Sequence, residues 1–429
     1  MSCDDNKINV ELKKEDLEKL LSEQLGSDIK VEKFSITPLT KPGDNYGSTI
    51  LAVEVFHYTQ EKSNLQKLPI VAKLVPESPF LRKLFNIETT FNKEVRAYTL
   101  VAPEFHKLQK EKGIPESEML DVFPKYYGSR SNKQDDINME ADDSAVLLME
   151  NLKSSGYEVG DRRKGFNLEH MELVVSKLAQ FHALGVALKL LKPQVFKDNI
   201  LKTCENFDIG DPNDDESNEK FVNANMNHVK HIPEVIPYLD KIEQCFRADT
   251  QMRKERKQYP ITEPFSTIVH NDFWVNNMMI KYEKASSKTI GKKFSPTRIK
   301  FVDFQVTIHA SPVRDLIFLL FSSSEHGLLE EYYDHLIQLY HKEFVGLLTK
   351  VGCDTRVFSY EQFLEEINVV APQEFTHILF MLNPLCADPS GMEETSSITH
   401  DNMLKSRGNE DYDKKVKCLI KMFVSKGWL

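Results

Sequence analysis

At Glu150 the chain changes character. Before it, strand-like segments dominate: Lys30–Thr37, Ser48–His57, Leu68–Val75, Asp121–Tyr127 and Ala145–Met149, each short, apolar and rich in β-branched or aromatic residues. Two amphipathic helices are expected among them, Val10–Leu25 with Leu17, Leu20, Leu21 and Leu25 on one stripe, and Phe91–Leu108. Pro42, Gly43, Asp44, Asn45 and Gly47 supply turn chemistry between the first two strands, and the acidic stretch Lys133–Asp143 reads as a solvated hairpin loop. After Glu150 the periodicity is helical, most clearly in Leu168–Leu188, where Met171, Val175, Leu178 and His182 share a stripe. The polar run Glu205–Lys220 reads as an exposed loop, two short strands are expected around Lys281–Lys300, and the chain beyond Asp315 reads as helix to its end. A sheet-rich third followed by a helical remainder predicts an α+β chain in two lobes: a small antiparallel-sheet lobe over residues 1–149 and a larger helical lobe over 150–429.

Composition removes several function classes. The net charge is −10, and no basic stripe interrupts it, so no nucleic-acid partner is expected. The 6 cysteines are scattered without a CxxC pair, which suits neither a disulfide framework nor a zinc site. His228 and His231 form an HxxH with no further ligand nearby in sequence, and a solvated helix face accounts for them. The opening residues are charged rather than apolar, and apolar runs such as Leu316–Phe321 are too short for a bilayer, so no membrane span and a cytoplasmic location are expected. Nothing in the sequence marks a protein partner.

The chemistry concentrates in His270-Asn271-Asp272-Phe273-Trp274-Val275-Asn276-Asn277, followed by Phe301-Val302-Asp303-Phe304. Phosphoryl transfer to an alcohol needs a carboxylate beside the hydroxyl and oxygen ligands for the magnesium on the phosphates. In protein kinases an Asp and, after four intervening residues, an Asn fill the first role and part of the second. Asp272 and Asn277 have that spacing, and Asp303 closes an apolar strand where a metal-binding Asp is needed. Asp272 alone could cap a turn, and Asn277 alone could be a loop amide; the full pattern is what points to a site.

Upstream, Ile70-Val71-Ala72-Lys73 matches the kinase strand whose Lys meets the α- and β-phosphates of ATP, and Glu94 on the following helix is placed to hold that ammonium. Gly43-Asp44-Asn45-Tyr46-Gly47-Ser48 lies between strands; its backbone N–H groups, including those of Asn45, Tyr46 and Gly47, and the Ser48 hydroxyl could cover phosphates, although a plain hairpin turn would look the same. The apolar strand Val146–Met149 leads into Glu150-Asn151-Leu152, the position of a hinge where backbone groups of Glu150 and Leu152 would meet adenine.

Together these residues resemble the ecdysteroid kinase-like family, within the superfamily of choline kinases and aminoglycoside phosphotransferases. The resemblance runs over roughly residues 30–345 through Gly43–Ser48, Lys73, Glu94, Glu150-Asn151-Leu152, the His182 helix, His270–Asn277, Asp303-Phe304-Gln305 and Ser311-Pro312-Val313-Arg314-Asp315. It implies a two-lobed protein-kinase-like fold, ATP and Mg2+ as cofactors, and transfer to a small-molecule alcohol such as an ecdysteroid or another hydroxylated lipophile. Asn271 stands where the wider superfamily commonly has glycine, a change that leaves the pattern intact. Only residues 304–314 separate Asp303 from Asp315, which leaves no room for the activation segment of a protein kinase. His270, Arg314 and Asp315 read as scaffold, and His182 as a satisfied core histidine.

Two other readings differ in what they bind. A catalytically inactive kinase fold would act as a nucleotide or ligand sensor, and a soluble lipophile carrier would hold its ligand in the helical lobe. Magnesium- and alcohol-dependent release of phosphate from ATP separates the kinase from the sensor, and tight ligand binding without ATP affinity marks the carrier.

Overall fold

The computed structural model describes residues 12–39, 47–59, 62–255, 261–284, 294–388, 399–405 and 408–429. A five-stranded antiparallel sheet forms the small lobe: β1 (Lys30–Pro38), β2 (Thr49–Thr59), β3 (Lys62–Leu74), β4 (Tyr126–Arg130) and β5 (Val146–Glu150), in the order β1-β2-β3-β5-β4. Alternation sets its two faces. Leu51, Val53, Val55, Ile70, Ala72 and Leu74 bury against Leu17, Leu20 and Leu21 of the helix Lys14–Leu25. Lys73, between Ala72 and Leu74, therefore projects to the opposite face, under the helix Ile87–Arg96 that carries Glu94.

Several expected elements shift, each for a local reason. The strand expected at Asp121–Tyr127 begins only at Tyr126, because Pro124 cannot donate to a ladder; Val122 instead accepts from Phe301 N at 2.7 Å. The helix expected at Phe91–Leu108 runs from Ile87 to Glu111 but opens into a π turn at Ala97–Val101, just before Pro103. Proline lacks the N–H and crowds the carbonyl four residues back, and a wider turn relieves both. The Lys133–Asp143 connection joins two antiparallel strands and is largely exposed, as expected, but its backbone is pinned at two points. Asn92 Nδ2 donates to Met139 O at 2.7 Å, and Asn132, 2% exposed, donates to Asp136 O at 2.7 Å. The run expected to be a loop over Glu205–Lys220 is helical from Asp215 onward, capped by Asp214, whose carboxylate accepts from Ser217 N at 3.0 Å. Its acidic residues sit in the first turn, where the helix dipole favours them.

The helical lobe is built around the helix Leu168–Leu191, which is buried along most of its length. It is long and apolar enough to cross a membrane by composition, contrary to the expectation that no stretch is, but here it is the core of the lobe. Gly185 allows its close approach to β7 (Thr267–Val269): a Cβ there would lie 2.1 Å from Thr267 Oγ1, which donates to His182 O at 2.9 Å. The same helix packs along Leu328–Lys350. Three further strands, β6 (Tyr157–Val159), β8 (Met278–Lys284) and β9 (Phe294–Phe301), make a small antiparallel sheet below the end of β5, and β10 (Ile308–Ala310) pairs with β7. His228 and His231 separate to different partners, Leu404 O at 3.0 Å and Asp413 Oδ1 at 3.1 Å.

Candidate active site

The 270–277 loop leaves β7 and is gripped at its start by one carboxylate. His270 N donates to Asp315 Oδ2 at 2.6 Å and Asn271 N to Asp315 Oδ1 at 2.8 Å. Burial opposes the charge on Asp315, but His182 and His270 outweigh it and hold the carboxyl below its ordinary range. His182 donates from Nε2 to Asp315 Oδ2 at 3.1 Å and accepts at Nδ1 from the Tyr340 hydroxyl at 2.7 Å. Burial keeps its pKa low despite the carboxylate, so it is a neutral strut. His270 donates to Val302 O at 2.9 Å, tying the loop to the strand end that precedes Asp303. The scaffold roles expected for these residues match their positions. Asn271 sits at φ 64°, a left-handed conformation that glycine adopts freely and that asparagine tolerates better than most residues. That conformation accounts for the exchange of one for the other.

Within the loop, Asn277 Nδ2 donates to both the backbone O and the Oδ2 of Asp272, each at 2.8 Å. Its amide oxygen therefore faces the other way. Burial, and then the charge of Asp303, push the Asp272 pKa above the ordinary carboxylate value, while His270, His377 and the Asn277 bond pull it down. Among the described residues, Nε1 of Trp274 is buried without a hydrogen-bond partner two positions after Asp272.

Asp303 follows the end of β9 at φ 70° and ψ 58°, a conformation uncommon for a residue with a side chain. Phe304 locks it from behind, stacked on Phe123 at 4.9 Å and edge-on to Tyr98 at 5.8 Å. Lys73 lies between two carboxylates, with Nζ 2.5 Å from Glu94 Oε2 and 2.6 Å from Asp303 Oδ1. Burial alone would depress the Lys73 pKa, but the Asp303 and Glu94 charges reverse the sign and raise it. Burial is also the larger influence on Glu94, which is pushed up to about 7 against the pull of Lys73.

Of the loop expected over the phosphates, Gly43, Asp44, Asn45 and Tyr46 lie outside the described residues. Gly47 and Ser48 are buried, and a Cβ on Gly47 would sit 2.4 Å from Gln305 Nε2. The end of that loop thus rests on the residue two places past Asp303. At the hinge, Glu150 N donates to Lys125 O at 2.8 Å, and its Oε1 accepts from the Ser155 hydroxyl at 2.5 Å. Leu152 O accepts from Ser155 N and Tyr157 N, so the backbone there is partly spent on its own turn. The Leu152 side chain packs with Tyr157, Met279 and Val302, an apolar floor between hinge and Asp303. Met279 escaped the sequence reading and Val302 entered it only as part of the strand before Asp303, because apolar strand residues look alike wherever they pack.

A second fastening joins the lobes on the far side of the Glu94 helix. Lys93 donates to Glu205 O and lies 4.3 Å from the centre of the Phe207 ring. Arg96 reaches Glu205 Oε2 at 3.1 Å and Ile137 O at 3.1 Å, and Gly210 N donates to Leu84 O at 2.7 Å. The segment 205–210 is therefore a strap across the residues on either side of Glu94, within the run Glu205–Lys220 that composition marked as exposed loop.

Mg2+ and ATP fit these residues. The Asn277 oxygen and the Asp303 carboxylate are hard oxygen donors of the kind magnesium takes, and Asp303 already has a cation against it in the Lys73 ammonium. Lys73, Gly47 and Ser48 would border the phosphates. Five antiparallel strands, a hinge and a helical lobe bearing Asp272, Asn277 and Asp303 define a protein-kinase-like fold. The ecdysteroid kinase-like family profile matches residues 42–353, and the chain belongs to that family. Solved structures give a looser likeness. Choline kinase from Cryptosporidium parvum has a TM-score of 0.42 at 10% identity over 92% of this chain and 91% of that one. Ethanolamine kinase from Plasmodium vivax scores 0.40 at 10% identity over 94% and 87%. Spectinomycin phosphotransferase, in complex with ADP and spectinomycin, scores 0.39 at 9% over 98% and 100%. No curated protein matches the chain.

Proposed function

We propose that the protein is a phosphotransferase that uses ATP and Mg2+ to phosphorylate a hydroxyl of a small lipophilic alcohol, an ecdysteroid or a molecule like it. The observation that carries this reading is the position of Lys73 between Glu94 and Asp303, at 2.5 and 2.6 Å. A buried lysine shared by two carboxylates is a costly arrangement for stability alone, and it suits a site that handles phosphate and metal.

Bound magnesium would neutralise charge on the phosphates from its place at Asn277 and Asp303. Glu94 keeps Lys73 charged and pointed at the nucleotide. Asp272 orients the alcohol by accepting its O–H, and takes the proton as the oxygen bonds to the γ-phosphorus and the bond to the departing ADP breaks. Its raised pKa makes it a better proton acceptor than an exposed carboxylate. Asn277 fixes the carboxylate through its two bonds. The test is ATP consumption over a panel of steroid, sugar and amino alcohols with and without Mg2+. Turnover that requires both metal and a sterol alcohol supports the reading; ATP binding without transfer to any acceptor would favour the sensor instead.

A further inference from the structure

A cavity of about 670 Å³ opens where β3 ends, the helix Ile87–Arg96 begins and the 131–143 connection passes over both. Small-molecule pockets run from about 300 to 1,000 Å³, and no residue lining this one belongs to the site around Asp272. Val75, Ile87 and Ala141, all buried, give it an apolar floor, and Met139 lines it while 48% exposed. Its wall is held in shape. Asn132 Oδ1 accepts from Asp136 N at 3.1 Å, its Nδ2 donates to Glu140 O at 3.2 Å, and Ala141 N donates to Glu88 O at 3.0 Å.

The charges left over in the lining are negative. Arg82, the one cation among the described lining residues, is spent on Asp143 and on Pro76 O. Asp142 accepts from Lys133 N at 3.0 Å and Ser144 N at 2.8 Å. Glu88 and Glu140 line the cavity, are exposed, and have no ion-pair partner among the described residues. Asn92 lies one turn beyond Glu88 on the same face of the helix. The residue is 5% exposed; its Nδ2 holds Met139 O, and its Oδ1 has no hydrogen-bond partner among the described residues. Two carboxylates at a helix start are content in water, but a buried amide oxygen calls for a donor. A bare metal ion does not fit, because it takes several converging oxygens and no group of three acidic, His or Cys side chains is set for one among the described residues. An ammonium group fits, with three donors and no acceptor, and a hydrocarbon part attached to it covers the floor.

We propose that this cavity is an effector site for an organic amine, whose ammonium meets Glu88, Glu140 and Asn92 Oδ1 and whose hydrocarbon part lies on Val75, Ile87 and Met139. Val75 is two residues past Lys73, and Glu88 and Asn92 share the helix of Glu94. The amine therefore clamps together the two elements that form the Lys73–Glu94 pair. A ligand that prefers this arrangement favours it, and by linkage amine and ATP each tighten the binding of the other. Binding of the amine is independent of the phosphotransferase reading; its effect on ATP rests on that reading.

The test is calorimetric titration of the full chain with hexamethylenediamine at about 0.15 M salt, where loose surface pairing is screened, with the diacetylated diamine as the uncharged control. The diamine should bind and the control should not. Glu88→Gln and Glu140→Gln should each raise Kd about tenfold, the loss of one charged hydrogen bond, and Met139→Arg, which puts a cation in the cavity, should abolish binding. No binding by the parent, or equal binding by parent and variants, overturns the site. The diamine should also lower Kd for ATP with Mg2+ about fivefold in the parent and leave it unchanged in Met139→Arg. No change in the parent, or a change shared by Met139→Arg and so due to diamine meeting ATP in solution, overturns the effector role. A parent that binds no ATP overturns the nucleotide reading, while the diamine titration decides the site by itself.

Discussion

Lys73 and Asp303, separated by 230 positions in sequence, meet at 2.6 Å across the two lobes. The contact joins the sheet that would cover the nucleotide to the carboxylate that would hold its metal. Lys73→Met is expected to raise KM for ATP and lower the rate, because it removes a phosphate contact. Glu94→Gln should do less, since it removes only the group that orients the ammonium. Steady-state kinetics of both variants across ATP concentrations check this, and full activity in both would move the phosphate site elsewhere.

Asp303→Asn replaces an anionic metal ligand with a neutral amide. Turnover should be abolished and magnesium-dependent ATP binding weakened, with Asn277→Ala showing the same pattern more mildly. Titration of ATP at several Mg2+ concentrations is the measurement. An Asp303→Asn protein with the parent's metal dependence would remove this residue from the metal site.

Gly47 owes its identity to a close approach rather than to φ, because its Cβ would strike the far end of the Gln305 side chain. Gly47→Ala should raise KM for ATP while leaving the melting temperature nearly unchanged, since the glutamine can swing aside. Trimming the obstacle in Gly47→Ala/Gln305→Ala should restore affinity, with a coupling of about 0.5–3 kcal/mol as contacting pairs show. Strictly additive effects would contradict the contact.

The strap carries a pH signature. Burial pushes the Lys93 pKa down to about 8, against the charges of Cys204 and Glu205 and alongside that of Arg96. The folded state therefore binds this proton less tightly than the unfolded chain does, and stability rises with pH wherever the unfolded state holds more protons. The contribution of Lys93 to stability should grow from about pH 8 to about 10.5, the ordinary lysine value. Lys93→Met should remove that increment, so that the difference in unfolding free energy between parent and variant changes over that window and is flat below it. A difference that is flat throughout would mean that Lys93 titrates as an exposed lysine does.

What the sequence disclosed was chemistry with a fixed order. Lys73, Glu94, Asp272, Asn277 and Asp303 could be picked out because side chains of those types are needed at those spacings, and the fold brings Lys73 to Glu94 and Asp303, and Asn277 to Asp272. Two-lobed architecture was legible from the change in periodicity at Glu150. Other features were hidden because their signal is three-dimensional. Lys93 and Arg96 look like ordinary helical surface charges until the strap covers them. Acidic residues at Asp214–Glu216 read as loop because a helix N-terminus and a solvated turn draw on the same residues.

The phosphotransfer account stands most directly on Asp272. Its carboxylate should orient the alcohol and accept its proton, a task worth about 10²–10⁴ in rate, while nucleotide binding rests on Lys73, Asn277 and Asp303. Single-turnover phosphorylation of a sterol alcohol by Asp272→Asn, beside an ATP titration and a melting curve of the same protein, is the measurement. The account predicts a folded variant with ATP affinity largely kept and a rate lower by about that factor. A stable Asp272→Asn protein that phosphorylates the alcohol at the parent rate would contradict it.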